Sequence, residues 1–249
     1  MSIDNSSESV QHLKDVFELY AKVKEFDKVE LRHDYGSLEN NYHYYIKEDI
    51  DIVLDSFSRV FSLPSGQLEP MKDAMRSGII DFMLLPQGDA AAFATPIMSE
   101  EMISLLFLVS RHFFRSIRRS LNVDNIYWEE GKCPVCNALP AISMLEEGDK
   151  RKYFCSFCGT VGHFKRIGCT NCQNEDPKLI DIIYASDDSK VRIDVCNNCK
   201  SYVKTIDMAK ASFRDIEEAD LISLPLDIIA QEKGFVRRCP NPVGMINMS

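Results

Sequence analysis

The sequence predicts an α+β protein: an all-helical N-terminal domain over residues 1–125, two tandem four-cysteine ribbon modules at 126–167 and 168–207, and a short helical C-terminal tail at 208–249. Three observations carry that reading. Eight of the nine cysteines fall within 67 residues as four Cys-x-x-Cys pairs: Cys133/Cys136, Cys155/Cys158, Cys169/Cys172 and Cys196/Cys199. Before them, apolar residues recur at three- and four-residue spacing, the period of a helix with one buried face. Among them the period shortens to two, as in Val191-Arg192-Ile193-Asp194-Val195, which is the pattern of a half-buried strand.

Two residues between cysteines is the spacing of a metal knuckle, a turn that aims both sulfurs and its own N–H groups at one ion. Four knuckles supply two tetrahedral four-thiolate sites. The connections between pairs are 18, 10 and 23 residues long. The long arms have room for the strands of a ribbon, and the short one links two units. Cys133, Cys136, Cys155 and Cys158 are therefore expected to hold one ion, and Cys169, Cys172, Cys196 and Cys199 a second. A disulfide framework would fit a secreted chain, but the polar, acidic start MSIDNSSESVQHLKDV has no apolar core and no small-residue cleavage site. A thioredoxin-type relay needs one pair opening a helix, not four on short loops. Reduced, metal-bound thiols point to the cytoplasm.

In chain order, Leu13, Val16, Phe17, Tyr20 and Val23 make one face of a first helix ending near Phe26. A loop spans 34–41. Tyr42 to Phe61 reads as a second helix, buried through Ile46, Ile50, Val53, Leu54 and Phe57 and stopped before Pro64. Tyr42, Tyr44 and Tyr45 at its start are read as packing residues rather than a ligand platform. Leu68 to Met75 is a shorter helix ended by Gly78, followed by the apolar segment Ile79 to Pro86. After Thr95-Pro96 comes the most apolar helix, Ser99 to Leu121. Its first turn carries Glu100 and Glu101, and Arg111, Arg115, Arg118 and Arg119 follow towards its end, signs that suit the helix dipole. That basic cluster, with His112, reads as a solvated helix end rather than a docking face for an acidic peptide.

Trp128, the one tryptophan, is placed where helices meet the first ribbon. Ile142, Met144 and Leu145, a turn at Glu147-Gly148-Asp149, and Tyr153-Phe154 predict a hairpin returning to the second knuckle. Leu179 to Tyr184, a turn at 186–189, and Val191 to Val195 predict another. His163 is five residues beyond Cys158 but is surplus to two complete sites. Cys239 has no partner in sequence and reads as a free thiol. Ile216 to Lys233 gives two short helices, the second with Pro225 near its start and Gly234 at its end, and the tail from Arg237 reads as irregular.

Composition limits the partners. With 45% hydrophobic and 27% charged residues the chain is ordinary for a globular protein. Its longest apolar run, Met102 to Val109, falls short of the ~20 residues that span a bilayer. The net charge of −9 weighs against a nucleic-acid backbone. The contrary signal is local: Lys150, Arg151, Lys152, Lys165 and Arg166 with Tyr153, Phe154 and Phe164 interleaved, a mixture that single strands exploit.

CPVCNALP at 133–140, YFCSFCG at 153–159, HFKRIGCTNC at 163–172, VCNNCKSYVKTID at 195–207 and EADLISLPLDIIAQEKGFVRRCPNP at 218–242 together resemble the formate dehydrogenase accessory protein FdhE family, in the same order and after a helical half. The resemblance covers the C-terminal half with specific motifs. It implies a cytoplasmic accessory protein, not itself a catalyst, that contacts the catalytic subunit of formate dehydrogenase. It also implies rubredoxin-like four-cysteine sites able to hold iron. Asn137, Gln173 and Lys200 stand where such knuckles often carry glycine. Four thiolates suit zinc and iron alike, so the cofactor is two ions of either metal. An iron-containing redox carrier and a zinc-ribbon nucleic-acid binder are the alternatives.

Overall fold

The computed structural model describes residues 7–35, 42–64, 66–81, 84–87, 100–119, 121, 123, 125–146, 150–165, 167–184, 190–208, 210 and 215–248. The loop at 36–41, the entry to the fourth helix at 95–99, the turns at 147–149 and 185–189, and Arg166 lie outside them, as do the side chains of Tyr42 and Tyr44. Four helices come first: α1 (Ser7–Phe26), α2 (Tyr42–Phe61), α3 (Glu69–Arg76) and α4 (Glu100–Arg119). They bury the predicted faces, with Val23, Ile50, Val53 and Phe57 inaccessible to solvent. Phe26 meets Phe57 edge-on at 5.0 Å between centroids, which ties α1 to α2.

Eight strands follow: β1 (Ile126–Tyr127), β2 (Ile142–Glu146), β3 (Lys150–Phe154), β4 (Val161–His163), β5 (Ile180–Tyr184), β6 (Val191–Cys196), β7 (Ser201–Asp207) and β8 (Val236–Arg237). Both predicted hairpins form, β2 against β3 with Ile142 opposite Phe154, and β5 against β6 with Ile180 opposite Cys196. The two modules are not separate ribbons, however. They share one sheet of order β1-β4-β3-β2-β7-β6-β5. The join is a parallel pairing of β2 with β7, Ile142 opposite Lys204 through Leu145 opposite Asp207. β8 takes the part of β7 that β2 leaves free, at Ser201 and Tyr202. Across the join, Ser143 Oγ and Thr205 Oγ1 lie 2.7 Å apart, and Arg151 reaches Asp194 at 2.7 Å. Asp194, which the alternation places outward, is buried because Arg151, Arg192 and Thr205 all bond it.

Helices α5 (Ile216–Ile222) and α6 (Leu224–Glu232) carry the closing segment back over this sheet. Lys204 of β7 lies fully buried between Asp220 and Asp227, 2.5 Å from each. Arg237 of β8 bonds the same carboxylates at 2.7 and 2.9 Å, and Tyr202 donates to Asp227 at 2.7 Å. Two cations and two anions make a neutral square with no solvent-exposed side-chain atom. Burial raises the Asp220 pKa, but Arg237 and Lys204 outweigh it and hold the carboxyl below the usual aspartate range. The tail beyond it is irregular, as predicted, but it packs into the interior. Cys239, Asn241 and Val243 are buried, and Ser104 of α4 donates to Gly244 O at 2.9 Å.

The basic end of α4 also differs from expectation. Arg111 is buried, bonded to Asp27 at 2.9 Å and Glu217 at 3.2 Å, and Arg115 bonds Glu217 at 2.6 Å. Arg111 and Arg115 are thus not a solvated end but a clamp that holds α5 to α4 and the end of α1, while Arg119 at the last turn stays exposed as expected. His112 is buried beside it, 4.9 Å from the Phe26 ring, and burial pushes its pKa down to about 4.

Two outcomes follow. Arg237→Met leaves Asp220 and Asp227 underpaired in the interior and should cost about 3–5 kcal/mol in urea unfolding. For His112, the folded chain protonates at about 4 whereas the unfolded chain does so near the ordinary 6.5. Its contribution is therefore complete above 6.5 and is lost as the pH falls towards 4. Between pH 7 and 4.5, His112→Leu should lose roughly 2–3 kcal/mol less stability than the parent, a difference that unfolding curves at the two pH values would reveal.

Candidate metal centres

Each module gathers its four cysteines by the same local device. In every knuckle the residue after the second cysteine donates its N–H to the first cysteine's carbonyl: Asn137 to Cys133 at 2.8 Å, Gly159 to Cys155 at 2.9 Å, Gln173 to Cys169 at 3.0 Å and Lys200 to Cys196 at 2.8 Å. All four donors are in the left-handed region, with φ of 63°, 77°, 62° and 58°. Only one is glycine, so three side chains tolerate a conformation that costs ~1–2 kcal/mol. The second knuckle of each module is also a strand connection, joining β3 to β4 in one case and β6 to β7 in the other.

The sulfurs converge as predicted. Cys133 Sγ is 3.4 Å from Cys158 and Cys136 Sγ is 3.3 Å from Cys155; in the second group Cys169 is 3.5 Å from Cys199 and Cys172 is 3.7 Å from Cys196. Within each group all four sulfurs lie within 4.8 Å of one another. A disulfide would need about 2.05 Å. A tetrahedron with metal–sulfur bonds of about 2.3 Å has edges of about 3.8 Å. The separations fit an ion far better than a bond, and no cysteine is in a disulfide. His163 lies in neither group, and its Nδ1 is 3.4 Å from Arg151 O.

The free thiols are unequal. Burial pushes Cys136 and Cys155 well up, whereas Cys158 is pulled well down against burial by hydrogen bonds from the other three cysteines and from Thr160. In the second group burial pushes Cys196 up to about 12. Burial also opposes ionisation of Cys199, but hydrogen bonds from Ser201 and Asn171 outweigh it and bring the thiol down to about 6. Cys158 and Cys199 are the last cysteines of their modules, and each has a hydroxyl two residues on, Thr160 and Ser201, with oxygen to sulfur distances of 3.0 Å in both. The repeated Cys-x-Thr/Ser is visible in the sequence at 158–160 and 199–201. Cys239 stays outside both groups, its thiol pushed up to about 12 by burial.

The centres are tied to each other and to the helices. Gly131 lies so close to the third knuckle that a Cβ there would meet Thr170 Cα at 2.8 Å, and Gln173 donates to Glu130 O at 2.6 Å. Trp128 is buried, with neighbours in the first module. It lies on Gly162, where a Cβ would fall 1.9 Å from its indole nitrogen, and beside Tyr153 at 6.3 Å. One contact with the helices is made by Phe157 of the second knuckle, edge-on to Phe107 of α4 at 4.6 Å.

Among the described residues, the aromatic members of the first module's basic and aromatic set do not form an exposed stacking platform. Tyr153, Phe154 and Phe164 are buried, Arg151 is paired with Asp194, Lys152 with Glu146 at 2.8 Å, and Lys165 with Glu175.

Comparison with known proteins converges on one family. The domain described as FdhE, C-terminal domain, matches residues 167–243. A Protein FdhE homolog from Aquifex aeolicus is 32% identical over 146 residues, covering 56% of this chain and 51% of that protein. One from Proteus mirabilis is 38% identical over 114 residues, covering 45% and 37%. The chain thus spans about half the length, or less, of these relatives. The crystal structure of the FdhE protein from Pseudomonas aeruginosa superposes with a TM-score of 0.64 over 92% of this chain and 88% of that one, at 18% identity, which speaks for a shared fold.

The knuckle geometry makes a substitution test. Asn137→Val places a β-branched residue in the left-handed region and should lower stability by about 1–3 kcal/mol, while Asn137→Gly should hold or raise it. Thermal unfolding of the two variants side by side gives the comparison.

Proposed function

We propose that this chain is a member of the FdhE family and an accessory factor that binds the catalytic subunit of formate dehydrogenase and is needed for that enzyme's activity, without being a catalyst itself. The observation that carries the proposal is the matched stretch 167–243, because it contains both the second sulfur group and the buried Lys204–Asp220–Asp227–Arg237 square. A match carried by the metal ligands alone would stop at Cys199. This one extends through the elements that fix their surroundings.

In this reading the eight cysteines are ligands of two ions, zinc or iron. The donor set fits either, since soft thiolates in tetrahedral array serve both. An ion supplies the positive charge that lets four sulfurs ionise together, and with iron it would also supply a one-electron couple. The thiolates must stay reduced, so the proposed location is the cytoplasm. No helix among the described residues is long and apolar enough to cross a membrane. The division into helical domain, two modules and tail at residues 125, 167 and 207 is part of the same proposal.

The test is capture of a purified formate dehydrogenase catalytic subunit by this protein, in oxidising and reducing buffer, with metal content measured on the anaerobically prepared sample. Saturable binding in at least one condition is expected, with about two ions per chain. No binding in either condition would count decisively against the role.

A further inference from the structure

The two sulfur groups repeat one plan but differ at one position of it. In the first module the residue before the second cysteine of each knuckle is apolar, Val135 and Phe157. In the second module it is asparagine in both knuckles, Asn171 and Asn198. These two amides cross over reciprocally. Asn171 of the third knuckle points its Nδ2 at Cys199 of the fourth, 3.5 Å away, and Asn198 of the fourth points its Nδ2 at Cys172 of the third, 3.4 Å away. Ser201 adds its hydroxyl to Cys199 at 3.0 Å and to Cys169 at 3.4 Å.

Exposure divides the same way. All four cysteines of the first group are buried, sealed by Phe157 against Phe107. In the second group Cys172 and Cys199 are half-buried, and both are the sulfurs that the asparagine amides address. Solvent access and N–H donors therefore coincide on one diagonal of one centre. A donor to a ligating sulfur draws charge from the metal–sulfur bond and stabilises the thiolate once it has left.

We propose that the second centre, on Cys169, Cys172, Cys196 and Cys199, is the exchangeable one, from which an external thiol- or carboxylate-bearing ligand can take the ion, whereas the first centre is closed to exchange, with Asn171 and Asn198 as positioning residues that set the lability. This rests on both groups holding an ion. In the exchange each metal–sulfur bond is replaced by a bond to a donor atom of the incoming ligand, starting at Cys199 or Cys172. The freed sulfurs remain thiolate or take a proton from water, and no electron moves. The first centre can exchange only when the helical domain parts from Phe157, an opening of much larger scale.

The experiment uses the full chain loaded with two zinc ions and challenged with excess EDTA, release being followed by a zinc dye. Release in two phases of equal amplitude is expected, their rates apart by roughly tenfold or more. Cys199→Ser should abolish the fast phase and leave the slow one. Two bound ions released in a single phase, or a fast phase that survives in Cys199→Ser, would overturn the proposal. A chain that binds no zinc would overturn the underlying metal reading as well. In cobalt-loaded protein the paired change Asn171→Ala with Asn198→Ala should move half of the sulfur-to-cobalt absorption to longer wavelength, since sulfurs without N–H donors give up charge more readily. An unchanged band would remove the two amides from the account, a result that loss of fold alone could not imitate.

Discussion

Four sulfurs held within 4.8 Å of one another are the constraint on which this structure turns. They cannot all be anionic without a cation among them, because like charges at such range repel by several kcal/mol even with strong screening. The thiol pKa values express this directly: one sulfur per centre ionises easily, Cys158 or Cys199, while burial pushes its neighbours Cys155 and Cys196 upward. An ion removes the conflict, and the strands inherit its position. Phe154 ends β3 one residue before Cys155, and Cys196 is itself the last residue of β6, so the sheet's hairpins are anchored at the sulfurs.

The closing segment answers a different problem. β7 is the strand through which the two modules meet, and its Lys204 points into the interior. A lone ammonium there would be prohibitive. Asp220 and Asp227 neutralise it, Arg237 balances the second carboxylate, and Arg237 in turn donates to Cys239 O at 2.7 Å. Four charges from β7, α5, α6 and β8 must coincide, which gives the segment a stricter sequence requirement than apolar packing would impose. It also reaches the second centre, because Val236 N donates to Lys200 O at 2.7 Å behind the fourth knuckle.

Local signals were legible and long-range ones were not. The span of α2, the two hairpins and the grouping of the cysteines follow from period and spacing over short stretches. The parallel pairing of β2 with β7 joins residues about sixty apart, and the alternation in each strand says which face is buried without saying which neighbour it has. The burial of Arg111 and Arg115 in α4 is hidden from the sequence for a related reason. Arginines near a helix C-terminus usually face water, and only the return of Glu217, 102 residues beyond Arg115, converts them to an internal clamp. The seat of Trp128 is a glycine, Gly162, and an empty side-chain position carries no signal in the sequence of what fills it.

The division of labour between the modules follows from where the helical domain attaches. Both modules offer the position before the second cysteine of a knuckle at the outer surface of the sulfur cage. The first module uses it for Phe157, which enters the ring cluster of α4 through Phe107 and Phe114 and excludes water from the sulfurs behind it. In the second module Asn198 is exposed and Asn171 half-buried, so an apolar residue at that position would face water at a cost without return. Asparagine satisfies solvent on one side and a sulfur on the other. Docking of the helices onto one copy of a repeated unit is therefore sufficient to make the two copies chemically distinct.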